Sequence, residues 1–87
     1  VTAERLVRAR EEPHNWLTYY GAYDGQRHSA LDQVTRANVA ALRPAWVFQF
    51  SPVGLTPAPQ AYSLETAPIV VDGVMYATGF EGYVWAL

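Results

Sequence analysis

Residues 65–87 read ETAPIVVDGVMYATGFEGYVWAL, and this stretch decides the fold. It contains three short runs that are typical of β-strands, at residues 67–71, 74–78 and 83–87. Asp72-Gly73 separates the first two runs, and this residue pair favours a two-residue hairpin turn. Glu81-Gly82 makes a second turn before the third run. In the middle run the side chains alternate, with Met75 and Ala77 on one face. The sequence therefore predicts a meander of antiparallel strands.

The predicted meander is open at its end. Leu87 is apolar, and its third strand has barely begun there, so one sheet edge lacks a partner and one face lacks a second layer. Two interpretations follow: a small domain that the upstream residues close, or one part of a larger β protein. The second is favoured because the upstream residues offer little regular structure with which to build a second layer.

Composition restricts the classes of function. The chain has 87 residues, is 51% hydrophobic and carries a formal net charge of -2, which is typical of one globular domain at most. Slight acidity without a Lys/Arg cluster argues against nucleic-acid or anionic-membrane partners. The sequence has no cysteine, so it contains no disulfide and no Cys-based zinc site. No apolar run approaches the roughly 20 residues of a membrane span. A chain that opens at Val1 is interpreted as a mature or trimmed product.

The first part of the chain predicts little regular structure. Residues 3–11 predict a short surface helix, with Thr2 as its N-cap and Glu4 in its first turn, and Pro13 prevents its continuation. Residues 14–21 are dense in aromatic side chains, which we expect to pack together. Residues 23–26 predict a turn.

The middle of the chain mixes helical turns with one strand candidate. Residues 29–43 predict short helical turns, one of them capped by Thr35, and Pro44 ends them. Residues 45–50 predict a strand that places alternate aromatic rings on one face. Residues 51–63 contain three prolines and predict a long loop.

Several short motifs occur in a fixed order between residues 15 and 87. They are Asn15-Trp16, Ser29, Val34, Asn38-Val39, Leu42-Arg43, Pro44 to Phe48, ETAPIVVDGVMY at 65–76 and VWAL at 84–87. This series resembles the N-terminal signature of the quinoprotein dehydrogenases, the alcohol and methanol dehydrogenases that use pyrroloquinoline quinone (PQQ). The final motif is similar to the start of the V-Y-A-L-D-A-x-T-G repeat of their blades. The sequence differs from the family pattern at Tyr20-Gly21, His28 and Thr35. These differences bear on which subfamily the chain resembles more than on the family itself.

The resemblance implies an all-β fold, an eight-bladed β-propeller of which residues 1–87 form an N-terminal fragment of a single domain. The fragment would hold a short helix, the closing strand of the last blade at 45–50 and the first strands of blade one. Its three tryptophans would pack between blades.

The resemblance also implies an activity. The whole protein would oxidise a primary alcohol in the periplasm with PQQ and a Ca²⁺ or lanthanide Lewis acid, and would pass electrons to cytochrome c or a quinone. The resemblance leaves open whether the whole protein forms a homodimer. In the family, the metal ligands and the aspartate general base belong to later blades, so these residues alone are expected to be inactive.

Glu65 is the candidate site residue. It stands at the end of the long loop and directly before the first strand, and the resemblance places it beside PQQ. Because PQQ is a trianion, such a glutamate would be protonated, share a proton or accept from the pyrrole N–H. The alternative is an exposed loop carboxylate. His14 and His28 lack the spacing of a metal site, and Asp72 is interpreted as a turn residue.

Two other functions are weighed against the enzyme. One is a non-catalytic propeller scaffold, such as an outer-membrane assembly factor, which would share the blade repeat. The other is an independent small binding module, which would require the 87 residues to fold cooperatively. The motifs between Asn15 and Arg43, together with Glu65, favour the enzyme because scaffolds lack them.

Overall fold

The computed structural model describes residues 1–49, 65–79 and 82–87. Its elements in chain order are helix α1 (Ala3–Val7), two 3-10 helices (Ala9–Glu11 and Val39–Ala41) and strands β1 (Ile69–Val71), β2 (Val74–Thr78) and β3 (Val84–Ala86). The strands form one antiparallel sheet in the order β1-β2-β3. Within the described ranges, no helix is long and apolar enough to cross a membrane.

The hairpin between β1 and β2 forms as predicted. Val71 pairs with Val74, so Asp72 and Gly73 are its two loop residues. Both have left-handed backbone angles, with φ of 52° and 85°. This combination defines the turn whose twist matches that of the flanking strands, and glycine adopts it without a steric penalty. The local sequence thus determines the register of β1 against β2.

The third strand confirms the predicted meander. Ala77 pairs with Trp85 and Thr78 with Val84. The pairing continues to Leu87, whose N–H and C=O both bond to Met75 at 2.9 and 3.0 Å. Of the predicted second turn, Gly82 has a φ of 82°, whereas Glu81 lies outside the described residues.

The two faces of the sheet differ in burial. Val70, Met75, Ala77 and Trp85 share one face by register, and Ala77 is 4% exposed. The opposite face has exposed side chains at Tyr76, Thr78, Val84 and Ala86. The alternation of β2 predicted from the sequence is therefore confirmed. Among the described residues, the other buried apolar side chains are those of Ala9 and Leu17.

A single residue extends the sheet beyond β1. Trp16 and Val70 exchange two backbone hydrogen bonds, each of 2.9 Å, in an antiparallel bridge. The Trp16 ring lies against Gly21, where a Cβ would come within 2.8 Å of it and where φ is +85°. Only glycine fits both conditions. The N-terminal segment therefore covers part of the β1 edge.

The start of the chain folds largely as predicted. Thr2 caps α1, its Oγ1 accepting from the Arg5 N–H at 3.3 Å, and Glu4 lies in the first turn. The predicted helix over 3–11 is divided, because α1 ends at Val7 and a 3-10 turn follows. The aromatic run is only partly packed. Tyr19 and Tyr20 meet edge to face at 4.8 Å but remain exposed.

Two predictions for the middle of the chain are wrong in the described residues. No strand forms over 45–49, where Trp46 is 61% and Val47 85% exposed. An extended run becomes a strand only when a neighbour completes its hydrogen-bond ladder, and no described residue does so here. Thr35 caps no helix. Instead its N–H donates to Asn38 Oδ1 at 2.7 Å, ahead of the 3-10 turn at Val39–Ala41. Phe50 and the predicted loop over 51–63 lie outside the described residues.

Candidate functional site

The antiparallel order gives the sheet two distinct ends. The hairpin end carries Asp72 and Gly73. The opposite end, named here the Glu65 end, carries the residues that lead into β1 and the residues that leave β2: Glu65, Thr66, Thr78 and Gly79. Because successive strands run in opposite directions, the chain leading into β1 and the chain leaving β2 meet there.

At the Glu65 end, Glu65 is exposed and lies four residues before β1 begins at Ile69. Its neighbour Thr66 forms a hydroxyl–hydroxyl hydrogen bond with Thr78, the last residue of β2, with 2.7 Å between the two Oγ1 atoms. The sequence identified Glu65 but not the two threonines. Their pairing joins residues twelve positions apart, and no local pattern signals it.

A glycine and three aromatic rings support this end of the sheet. A Cβ on Gly79 would overlap the Trp85 ring, so only glycine allows the ring to lie there. Tyr83 stacks on Trp85 with ring centres 5.9 Å apart, and Phe48 meets the same ring at 6.2 Å. The Gly79 N–H donates to the Tyr83 carbonyl at 2.8 Å. The Gly79 backbone at the end of β2 is therefore closely held.

The hairpin end carries a polar cluster that the sequence did not reveal. The Arg5 guanidinium bonds to Glu12, with Nη2 2.6 Å from Oε2, and to Asp72, with Nη2 2.8 Å from Oδ1. Asn15 lies between the two carboxylates. Its Nδ2 donates to Glu12 at 2.6 Å, and its Oδ1 accepts from the Asp72 N–H at 2.8 Å. We name these four residues the Arg5 cluster.

The hydrogen bonds of the Arg5 cluster stabilise the charged forms of its ionisable side chains. Hydrogen bonds from Arg5 and then from Asn15 lower the pKa of Glu12 to about 2. The hydrogen bond from Arg5 also lowers the pKa of Asp72. In turn, the Glu12 and Asp72 carboxylates raise the pKa of Arg5 further above its ordinary value. A group that stays ionised at neutral pH is unsuited to proton transfer. The cluster is therefore a structural tie between the N-terminal segment and the hairpin.

A second cluster lies near the start of the chain. The Arg27 guanidinium sits 4.4 Å from the ring centre of Tyr20 and 5.7 Å from that of Tyr19, within cation–π range. Arg10 pairs with Asp24 nearby. Over residues 1–49, 65–79 and 82–87, no group of three or more His, Asp or Glu side chains is placed to hold a metal ion.

Residues 65–79 and 82–87 thus contain an antiparallel three-stranded β-meander, with the Trp85 ring seated on Gly79. Comparison with known families makes this specific. Residues 16–87 match the PQQ family, described as the glucose/ethanol/alcohol dehydrogenase beta-propeller domain. The chain belongs to this family, and the resemblance drawn from its motifs is confirmed.

Individual relatives agree with the family. The chain is 43% identical over 77 residues to the dehydrogenase subunit of the quinone alcohol dehydrogenase of Gluconacetobacter polyoxogenes, an alignment covering 88% of this chain and 9% of that protein. It is 38% identical over all 87 residues to the quinohemoprotein alcohol dehydrogenase ADH-IIG of Pseudomonas putida, covering 11% of it. It is 39% identical over 85 residues to methanol dehydrogenase (cytochrome c) subunit 1 of Methylobacterium organophilum, covering 97% of this chain and 12% of that protein.

The matches cover most of this chain but only a small part of each relative. The chain spans about a tenth of the length of the curated relatives it matches, from 8% to 14%. No solved structure matches it significantly. Residues 1–15 precede the family match, yet they supply three of the four residues of the Arg5 cluster. The N-terminal segment is thus packed onto the family's sheet.

Proposed function

We propose that this chain is the N-terminal part of the propeller domain of a PQQ-dependent alcohol dehydrogenase, in which Glu65 contacts the cofactor. The observation that carries the proposal is the position of Glu65 within the family-matched segment. Glu65 is an exposed residue at one end of the sheet, on the chain that leads into β1. The similarity to quinone, quinohemoprotein and methanol dehydrogenases supports the reaction class.

The groups at the Glu65 end suit a polyanionic quinone. PQQ carries carboxylates and a pyrrole N–H, so a site for it requires donors to the carboxylates and an acceptor for the N–H. The Glu65 carboxyl can meet either need, because it is an acceptor when ionised and a donor when protonated. When bound, PQQ supplies the o-quinone that is reduced by the alcohol. The chain's own contribution is to bind and orient that group through the Glu65 side chain.

The finer features of the proposal concern the whole protein. The domain that continues from residues 1–87 would be an eight-bladed propeller. Its substrate would be a primary alcohol, with a Ca²⁺ or lanthanide ion as Lewis acid, and its electrons would pass to cytochrome c or a quinone in the periplasm. The names of the relatives support the alcohol substrate and the electron acceptors, since they specify alcohol, methanol, quinone and cytochrome c.

Turnover by the full-length gene product tests the proposal. The apoprotein is titrated with PQQ and with Ca²⁺ or La³⁺, and oxidation of a panel of short alcohols is followed with a dye acceptor. We expect turnover that requires both PQQ and metal and that Glu65→Gln lowers at least tenfold. Glu11→Gln is the matched control, because Glu11 is an exposed glutamate whose ion pair with Arg8 is 3.9 Å long. No PQQ binding by the full-length protein would favour the scaffold instead.

A further inference from the structure

We infer that the Thr66–Thr78 hydroxyl pair positions Glu65 for its contact with PQQ. This inference rests on the proposed function and assigns two positioning residues to the same site. Neither threonine was identified by its sequence pattern, and the role follows from where their hydrogen bond lies relative to the sheet.

The backbone leading into the sheet is not held by strand pairing. The strand β1 begins at Ile69, so residues 65–68 of the described chain have no ladder to β2. Pro68 cannot donate a backbone hydrogen bond, which removes one means of extending the ladder. The Thr66–Thr78 bond crosses this gap, with 2.7 Å between the oxygens. It therefore ties the residue next to Glu65 to the end of β2.

The other partner in this bond is a firm anchor. Thr78 is paired with Val84 in β3 and ends the central strand of the sheet. The next residue, Gly79, is held by its 2.8 Å hydrogen bond to Tyr83 and by the Trp85 ring over its Cα. Because the anchor is fixed from both sides, the hydroxyl bond restricts the movement of Thr66. Through Thr66 it restricts the backbone of Glu65.

The hydroxyl pair also keeps one hydrogen-bond donor available. One hydroxyl proton lies in the bond between them, and the second hydroxyl still has a proton to donate. The pair is thus a preorganised donor beside an acidic side chain. A carboxyl contact depends strongly on position, since polar groups must be held within about 0.5 Å of their productive geometry. Valine in place of either threonine keeps the β-branched shape and removes the bond.

The test uses the full-length apoprotein and measures the dissociation constant for PQQ by titration. We expect Thr66→Val and Thr78→Val each to weaken PQQ binding about fivefold, the effect of one hydrogen bond. The double variant should be no weaker than either single variant, because both changes remove the same bond. In a Glu65→Ala background, either change should alter the dissociation constant less than twofold. Thr66→Ser and Thr78→Ser retain the hydroxyl and should restore binding to within twofold of wild type.

A matched control and a folding check complete the experiment. Within the described part of the chain, the Thr18 hydroxyl is buried without a hydrogen-bond partner, so Thr18→Val makes the same chemical change where no bond is lost. It should leave PQQ affinity unchanged. Far-ultraviolet circular dichroism confirms that each variant is folded, and if one valine variant is not folded, the other carries the test because it removes the same hydrogen bond.

The outcomes separate this inference from the proposed function. If the wild type binds no PQQ, or if Glu65→Ala leaves affinity unchanged, the proposed role of Glu65 is wrong. If Glu65→Ala weakens binding but the valine variants do not, only the positioning role is overturned. Equal losses from Thr66→Val with and without Glu65 would also overturn it, because the threonine would then act independently.

Discussion

Removing the Asn15 side chain should release the N-terminal segment from the hairpin. Asn15 is 7% exposed and lies between the Glu12 and Asp72 carboxylates. Its Oδ1 accepts from the Asp72 N–H at 2.8 Å. A neutral hydrogen bond contributes about 1 kcal/mol, so losing this one alone raises the equilibrium constant for local opening about fivefold. Loss of the bond to Glu12 adds to this effect.

Amide hydrogen exchange measures that opening directly. In the full-length protein, Asn15→Ala should speed exchange about fivefold or more at the Asp72 amide and at the Trp16 and Val70 amides, which bond across the β1 edge. Asn38→Ala is the matched control, because Asn38 is exposed and bonds only within its own turn in the described structure. Exchange at Trp16 and Val70 within twofold of wild type would refute the tie between the N-terminal segment and the sheet.

Two further predictions concern the two ends of the sheet. Gly79→Ala should destabilise the full-length protein by about 1–3 kcal/mol, because the new methyl group overlaps the Trp85 ring. A lowered urea midpoint with an unchanged slope would show this destabilisation, and an unchanged midpoint would contradict it. The second concerns acid. The bond from Arg5 lowers the pKa of Glu12 from 4.5 to about 2, so its stabilising effect is complete above pH 4.5 and is lost as the pH falls towards 2. Glu12→Gln should therefore lower the urea midpoint by a constant amount from pH 5 to 7, and the difference from wild type should shrink below pH 4.5; a difference independent of pH would contradict the ion pair.

What the sequence predicted correctly was determined locally. The turn at Asp72-Gly73 requires two successive residues with left-handed backbone angles, which few other residue pairs adopt. The hairpin and its register therefore followed from the sequence. The Thr2 cap depends on a side chain and an N–H three residues apart. The family, too, was evident from short motifs in a fixed order, and comparison confirms it.

What the sequence did not predict joins residues that lie far apart. The Arg5–Asp72 bonds span 67 positions and the Trp16–Val70 bridge spans most of the chain. Arginine and aspartate are ordinary surface residues, so nothing local indicates that they meet. The strand predicted over 45–50 failed for the converse reason. Its alternation is a property of the segment, whereas a strand requires a partner, and the described residues offer none.

The contact between Glu65 and PQQ is tested most directly by the PQQ affinity of the full-length protein with and without that carboxyl. A hydrogen bond that involves an ionised group changes affinity by about tenfold or more. We therefore predict that Glu65→Ala raises the dissociation constant for PQQ at least tenfold, while Glu11→Ala leaves it within twofold of wild type. Equal affinities of wild type and Glu65→Ala would contradict the claim.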